Sequence, residues 1–133
     1  MKYDYEKYEE AHRKFLKAVA TLEKVICEDR PHCTEIPGET CCLCRNALYD
    51  VNLASIGVSG ELTNMYRSNK VERLMLVTEA NDFYSQLGSV FNLTPQIRKK
   101  SPEIANYLHQ MQIRRKLADE IVRSERLEDW ERD

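Results

Sequence analysis

The stretch Ser68–Lys100, SNKVERLMLVTEANDFYSQLGSVFNLTPQIRKK, decides the fold. Leu76, Val77, Ala80, Phe83, Tyr84, Leu87, Val90 and Phe91 recur at helical spacing and fall on one face. Glu72, Glu79, Asp82 and Gln86 lie at its margin or away from it. Ser68 or Asn69 can cap the N-terminus, because a short side-chain oxygen accepts an orphan backbone N–H there. Asn92 suits the position just after a helix, where Asn tolerates the left-handed conformation. Thr94-Pro95 then restarts the chain as a cap and first helical residue. The pattern predicts a helix over 70–91 followed by a capped basic turn at Arg98-Lys99-Lys100.

Working outward, the N-terminal side holds a second stripe of the same kind. Tyr5, Tyr8, His12, Phe15, Val19, Leu22 and Ile26 line one face of an uninterrupted segment, which predicts a helix over 4–28. His12 has no Cys or Asp partner near it in sequence and reads as a packed, hydrogen-bonded histidine. The two long helices are expected to pack antiparallel as a hairpin.

A helix ending in Leu87, Leu93, Thr94, Pro95 and Arg98 (a leucine followed by LTPxxR), after an earlier helix carrying Tyr5 and Tyr8, resembles the small subunit of tailed-phage DNA-packaging terminases. The resemblance covers the first 26 residues and residues 66–100. Asn92 stands where that family usually has Gly, and both residues can turn left-handed. The Asn-Pro pair that commonly opens the family's second helix is missing, since Asn69 is followed by Lys70. The resemblance implies an α-helical homo-oligomer that helps recognise double-stranded viral DNA and presents it to the terminase large subunit. On that reading DNA phosphates would meet Arg98, Lys99, Lys100, Arg114, Arg115 and Lys116.

Between the first two helices, CEDRPHCTEIPGETCCLC (27–44) breaks every period with two prolines and a glycine and holds all five cysteines. Cys41 and Cys44 form a CxxC pair, a spacing at which two thiolates can grip one tetrahedral ion. Cys27 and Cys33 could complete a Zn2+ site, with His32 and Cys42 as substitutes. The competing reading is small free cysteines packed under a loop. Residues 43–55 predict a shorter helix, with Leu43, Ala47, Leu48 and Val51 on one side, and Gly57 and Gly60 predict a loop after it.

Ser101-Pro102-Glu103 is a strong start signal, so a last helix is expected over 102–126. Its stripe is split. Ile104, Tyr107, Leu108 and Met111 share one face, whereas Ile113, Leu117 and Ile121 lie on another, so either the helix bends near residues 112–116 or it touches two partners, one of which could be a neighbouring subunit. Residues 127–133 form a charged tail anchored only by Trp130.

The expectation is therefore an all-α protein: one helical domain over 1–126, an antiparallel hairpin plus a C-terminal helix. A net charge of -2 and a pI near 6.0 carry no global nucleic-acid or membrane signature. Locally, residues 94–118 hold six Lys/Arg against one Glu, and residues 119–133 hold seven acids against three Arg. No apolar run reaches the eighteen residues of a membrane helix, and MKYDYEKYEE lacks a signal-peptide core, so a cytoplasmic setting with reduced thiols is expected. No phosphate-binding glycine loop, HExxH or nucleophile elbow is present, and the reading is a non-enzyme. Beside the DNA-packaging role stands an alternative of another class: a zinc-stapled helical adaptor that binds a protein and not DNA.

Overall fold

The computed structural model describes residues 3–27, 42–68, 73–93 and 102–132, with side chains described over 3–25, 45–68, 74–93 and 104–124. Every element among them is an α-helix: α1 (Tyr5–Cys27), α2 (Cys42–Arg67), α3 (Arg73–Leu93) and α4 (Pro102–Arg132). The Asp4 carboxylate accepts the Glu6 N–H at 3.1 Å and caps α1. Tyr8, Phe15, Val19 and Leu22 of the predicted stripe are buried. In α3 the stripe resolves into Leu76, Ala80, Phe83, Leu87 and Val90 at the centre of the core, with Val77, Tyr84 and Phe91 packed at its edge. Asn92 lies inside α3, which continues to Leu93, rather than ending it.

The second helix is twice the length expected. Gly57 and Gly60 do not open a loop; α2 runs through both and closes at Arg67, where Ser68 N–H reaches the carbonyls of Asn64 and Met65. Each interior glycine costs about 1 kcal/mol relative to alanine. Burial of Val51, Val58, Leu62 and Met65, at helical spacing across the glycines, outweighs that. Gly57 also faces α1: a Cβ there would stand 3.7 Å from the Ala11 Cβ.

The pairing of helices differs from expectation as well. α1 packs most extensively on α2, not on α3, and the pair is antiparallel, with Tyr3 bonded to Glu61 and Ala11 beside Gly57. Where α1 meets α3, Tyr5 donates to Glu79 and His12 pairs with Gln86, seven residues further along both helices. These two helices therefore run parallel. The predicted α1–α3 hairpin is replaced by an α1–α2 hairpin stacked on an α3–α4 hairpin. α2 and α4 are parallel neighbours in fixed register: Tyr49 meets Tyr107, Asn52 meets Gln110, and Tyr66 meets Ser124. An α2 of full length explains the split stripe of α4, since Ile121 is buried and Leu117 half-buried against Thr63 and Tyr66, while Ile113 stays exposed.

Candidate interaction surface

Among the described residues the buried polar side chains Asn52 and Ser55 lie at the α2–α4 seam. In α2 the run Val51–Gly60 holds no charged residue, and of its polar members Asn52, Ser55 and Ser59 the first two meet α4 through Gln110 and Arg114. Asn52 is 4% exposed and Ser55 fully buried. Buried polar atoms must be paired, and here each is. Asn52 Nδ2 donates to Gln110 Oε1 at 3.1 Å, and Ser55 Oγ donates to the Asn52 carbonyl at 2.7 Å. Arg114 Nη1 donates to Asn52 Oδ1 at 2.6 Å and to Ser55 Oγ at 3.1 Å.

Arg114 is thus a half-buried cation held by neutral groups. Among the described residues no carboxylate pairs with it, and burial lowers its pKa from the ordinary arginine value. Its Nε and Nη2 donors have no partner among those residues. On the outer side of the seam lie exposed Leu53 (47%), Ile56 (46%) and Ile113 (58%), with Tyr49 at one end stacked obliquely on Tyr107. Leu53 also borders a shallow groove of about 400 Å³ between α1 and α2, lined by Ala11, Ala54 and Gly57 together with Lys7, Lys14, Glu10 and Glu61.

The neighbouring Arg115 turns the other way, onto α3. Its Nε donates to the Tyr84 carbonyl at 3.1 Å, and its guanidinium lies 4.0 Å over the Tyr84 ring. The flat group rests on Gly88, where a Cβ would come within 2.7 Å of Nη2. Of the six cations read as DNA-binding, then, Arg114 and Arg115 are engaged inside the protein and Lys116 is exposed. Arg98, Lys99 and Lys100 lie outside the described residues, as do Thr94 and Pro95.

The zinc reading also falls largely outside them. Cys33 and Cys41 are not described, and Cys27 and Cys44 are placed only as backbone, at the end of α1 and the start of α2. Among the described residues no three His, Cys, Asp or Glu side chains converge as a metal site. None of the described helices is long and apolar enough to cross a membrane.

At the α1–α3 contact His12 behaves as a packed histidine, bonded to Gln86 at 2.9 Å and stacked on Tyr8. Among the described residues the buried Tyr8 hydroxyl has no partner at hydrogen-bond geometry, although the Glu79 carboxylate is close enough to act on it. Burial and the nearby Glu79 carboxylate push its pKa up, and the same two causes push Tyr5 up to about 12.

The chain matches no protein-family model, no curated protein and no solved structure. Its function is therefore argued from this surface and from the residues themselves. Sequence reasoning passed over Asn52, Ser55 and the outer face of α2. The available signal was the ten uncharged residues Val51–Gly60, too long a run for a solvated loop.

Proposed function

We propose that the chain is a non-enzymatic helical adaptor that works by associating with other protein through the outer face of α2 and the adjoining edge of α4. One observation carries this reading. A helix on the surface of a bundle normally turns charge to solvent, whereas α2 turns Tyr49, Leu53 and Ile56 outward, level with Ile113 of α4. Exposed apolar side chains on one face beside a cation are a common make-up of a protein contact. In the packaging role that the terminase resemblance implies, this face would meet a neighbouring subunit or the large subunit.

The test uses a photo-cross-linking residue at Leu53, at Ile56 and, as a control, at Leu74, an equally apolar and more exposed position on α3. Adducts with protein are expected at Leu53 and Ile56 and not at Leu74. Equal labelling at all three positions would overturn the reading. Leu53→Asp should abolish the adducts formed at Ile56, with the melting temperature unchanged.

A second reading, phosphate contact with double-stranded DNA, is favoured by the exposure of Lys116 within the basic segment 94–118. It predicts affinity for a labelled duplex that falls steeply with salt and weakens when Arg98, Lys99, Lys100 and Lys116 are neutralised. Affinity independent of salt, or none, removes it.

A further inference from the structure

We propose that the occupant of the α2–α4 surface is the acidic C-terminal segment of a second copy of this chain, which places a carboxylate on Arg114; this rests on the adaptor reading above. The argument begins with charge. Arg114 is held away from water by Asn52 and Ser55, neither of which neutralises it, and two of its donating nitrogens are unused among the described residues. A guanidinium presents a planar fork that fits a carboxylate with two parallel hydrogen bonds. Leu53 and Ile56 follow Asn52 and Ser55 on α2 and Ile113 precedes Arg114 on α4, and covering these exposed side chains would exclude water and strengthen such a pair.

The chain carries the complementary chemistry itself. Residues 119–133 hold seven acids against three Arg, with Leu127 and Trp130 among Glu125, Glu128 and Asp129. An apolar residue, two adjacent acids and a tryptophan within one helical turn match an apolar collar around a cation. α4 remains helical to Arg132, and its contact with the end of α2 is made at Ser124.

The contact must be made in trans. Glu128 stands fourteen residues beyond Arg114 on the same helix, about 21 Å along its axis, so α4 cannot bring the two together within one copy. Two copies can. If α4 of each lies antiparallel to α4 of the other, with the two-fold axis level with Ile121, Glu128 of each comes level with Arg114 of its mate. The arrangement is closed and self-complementary, as a two-fold contact requires.

Sedimentation and light scattering over a concentration series test this. The expected species is a dimer of about twice the 15.6 kDa chain mass, loosening as salt rises through about 300 mM. Glu128→Gln with Asp129→Asn should weaken it by about tenfold, and should add nothing in an Arg114→Gln background. Should Arg114→Gln not fold, Arg114→Lys replaces it. Carbodiimide then joins the new amine to a carboxylate of residues 125–129, and mixing isotopically labelled with unlabelled chain shows whether the bond is between copies. A chain that stays monomeric, or a dimer indifferent to the tail substitutions, overturns the inference. In the second case, loss of association in Leu53→Asp would leave the adaptor reading standing; association indifferent to Leu53→Asp as well would end both.

Discussion

Replacing Gly88 with alanine sets two effects of similar size against each other. Gly88 is interior to α3, where alanine is favoured over glycine by about 0.8–1 kcal/mol. The new methyl would, however, stand 2.7 Å from Arg115 Nη2, and ordinary contact begins near 3.4 Å, so the guanidinium must move. It is not free to do so without loss. A hydrogen bond from a charged donor, here to the Tyr84 carbonyl, contributes about 1.5–3 kcal/mol, and stacking on the Tyr84 ring about 0.5–1 kcal/mol. Forfeiting part of both costs about 1–2 kcal/mol. Gly88→Ala should therefore be neutral to mildly destabilising in the native sequence, by up to about 1 kcal/mol. In an Arg115→Met background the obstacle is gone, and the same substitution should stabilise by about 0.8–1 kcal/mol. Urea denaturation of the four proteins gives the coupling directly, expected at about 1–2 kcal/mol. Equal stabilisation by Gly88→Ala in both backgrounds would show that Arg115 does not rest on α3 as described.

Other outcomes follow from the core, the polar seam and the tyrosines. Tyr8→Phe should leave stability unchanged or raise it by up to about 1 kcal/mol, since it removes a buried hydroxyl that has no partner among the described residues; a loss above about 1 kcal/mol in urea would show that the hydroxyl is bonded, Glu79 being the nearby acceptor. Asn52→Ala should cost about 1–3 kcal/mol by thermal melting, because Gln110 loses its Asn52 partner and Arg114 keeps only Ser55 of its two acceptors. Tyr5 holds its proton more tightly folded, at about 12, than unfolded, at 10.0. Its contribution to stability is therefore intact below pH 10 and lost as pH rises through 12, and urea midpoints between pH 8 and 12, followed beside tyrosinate absorbance, should fall in that window and not below it. For the cysteine segment, a zinc site at Cys27, Cys33, Cys41 and Cys44 would show as about one equivalent of metal and a melting temperature lowered by chelator; metal-free protein with chelator-insensitive melting would return the thiols to the packed-loop reading.

The helical stripes were legible because burial on one face leaves a period in the sequence. Tyr8, Phe15 and Leu22 in α1 and Leu76, Phe83 and Leu87 in α3 are buried as their spacing requires. Two things were not legible. Gly57 and Gly60 carry a local signal for a break, and the decision went instead to Val58, Leu62 and Met65, whose burial depends on partners distant in sequence. Likewise, two equal stripes say that α1 and α3 both face a core, but not which helix lies between them. The orientation rests on pairs such as Tyr5 with Glu79 and His12 with Gln86, which no periodicity predicts. The surface was half legible. The cationic run 114–116 stands out in the sequence, yet Arg114 and Arg115 point inward because Asn52, Ser55 and the Tyr84 ring offer them partners there.

The stacking of one hairpin on the other bears on how the chain assembles in time. Within each hairpin the partners are joined by a short connection, residues 28–41 for the first and 94–101 for the second. Closing fourteen residues rather than eight costs only about 0.5 kcal/mol more, so both hairpins can form early and independently. The seam between them joins residues 58 apart, as in Asn52–Gln110 and Tyr66–Ser124, and its register is settled when the two meet. Substitutions within either hairpin should then slow folding, whereas those at Asn52, Gln110 or Tyr66 should mainly quicken unfolding. The polar seam thereby acts as the latch that sets how long the native bundle lasts once it has closed.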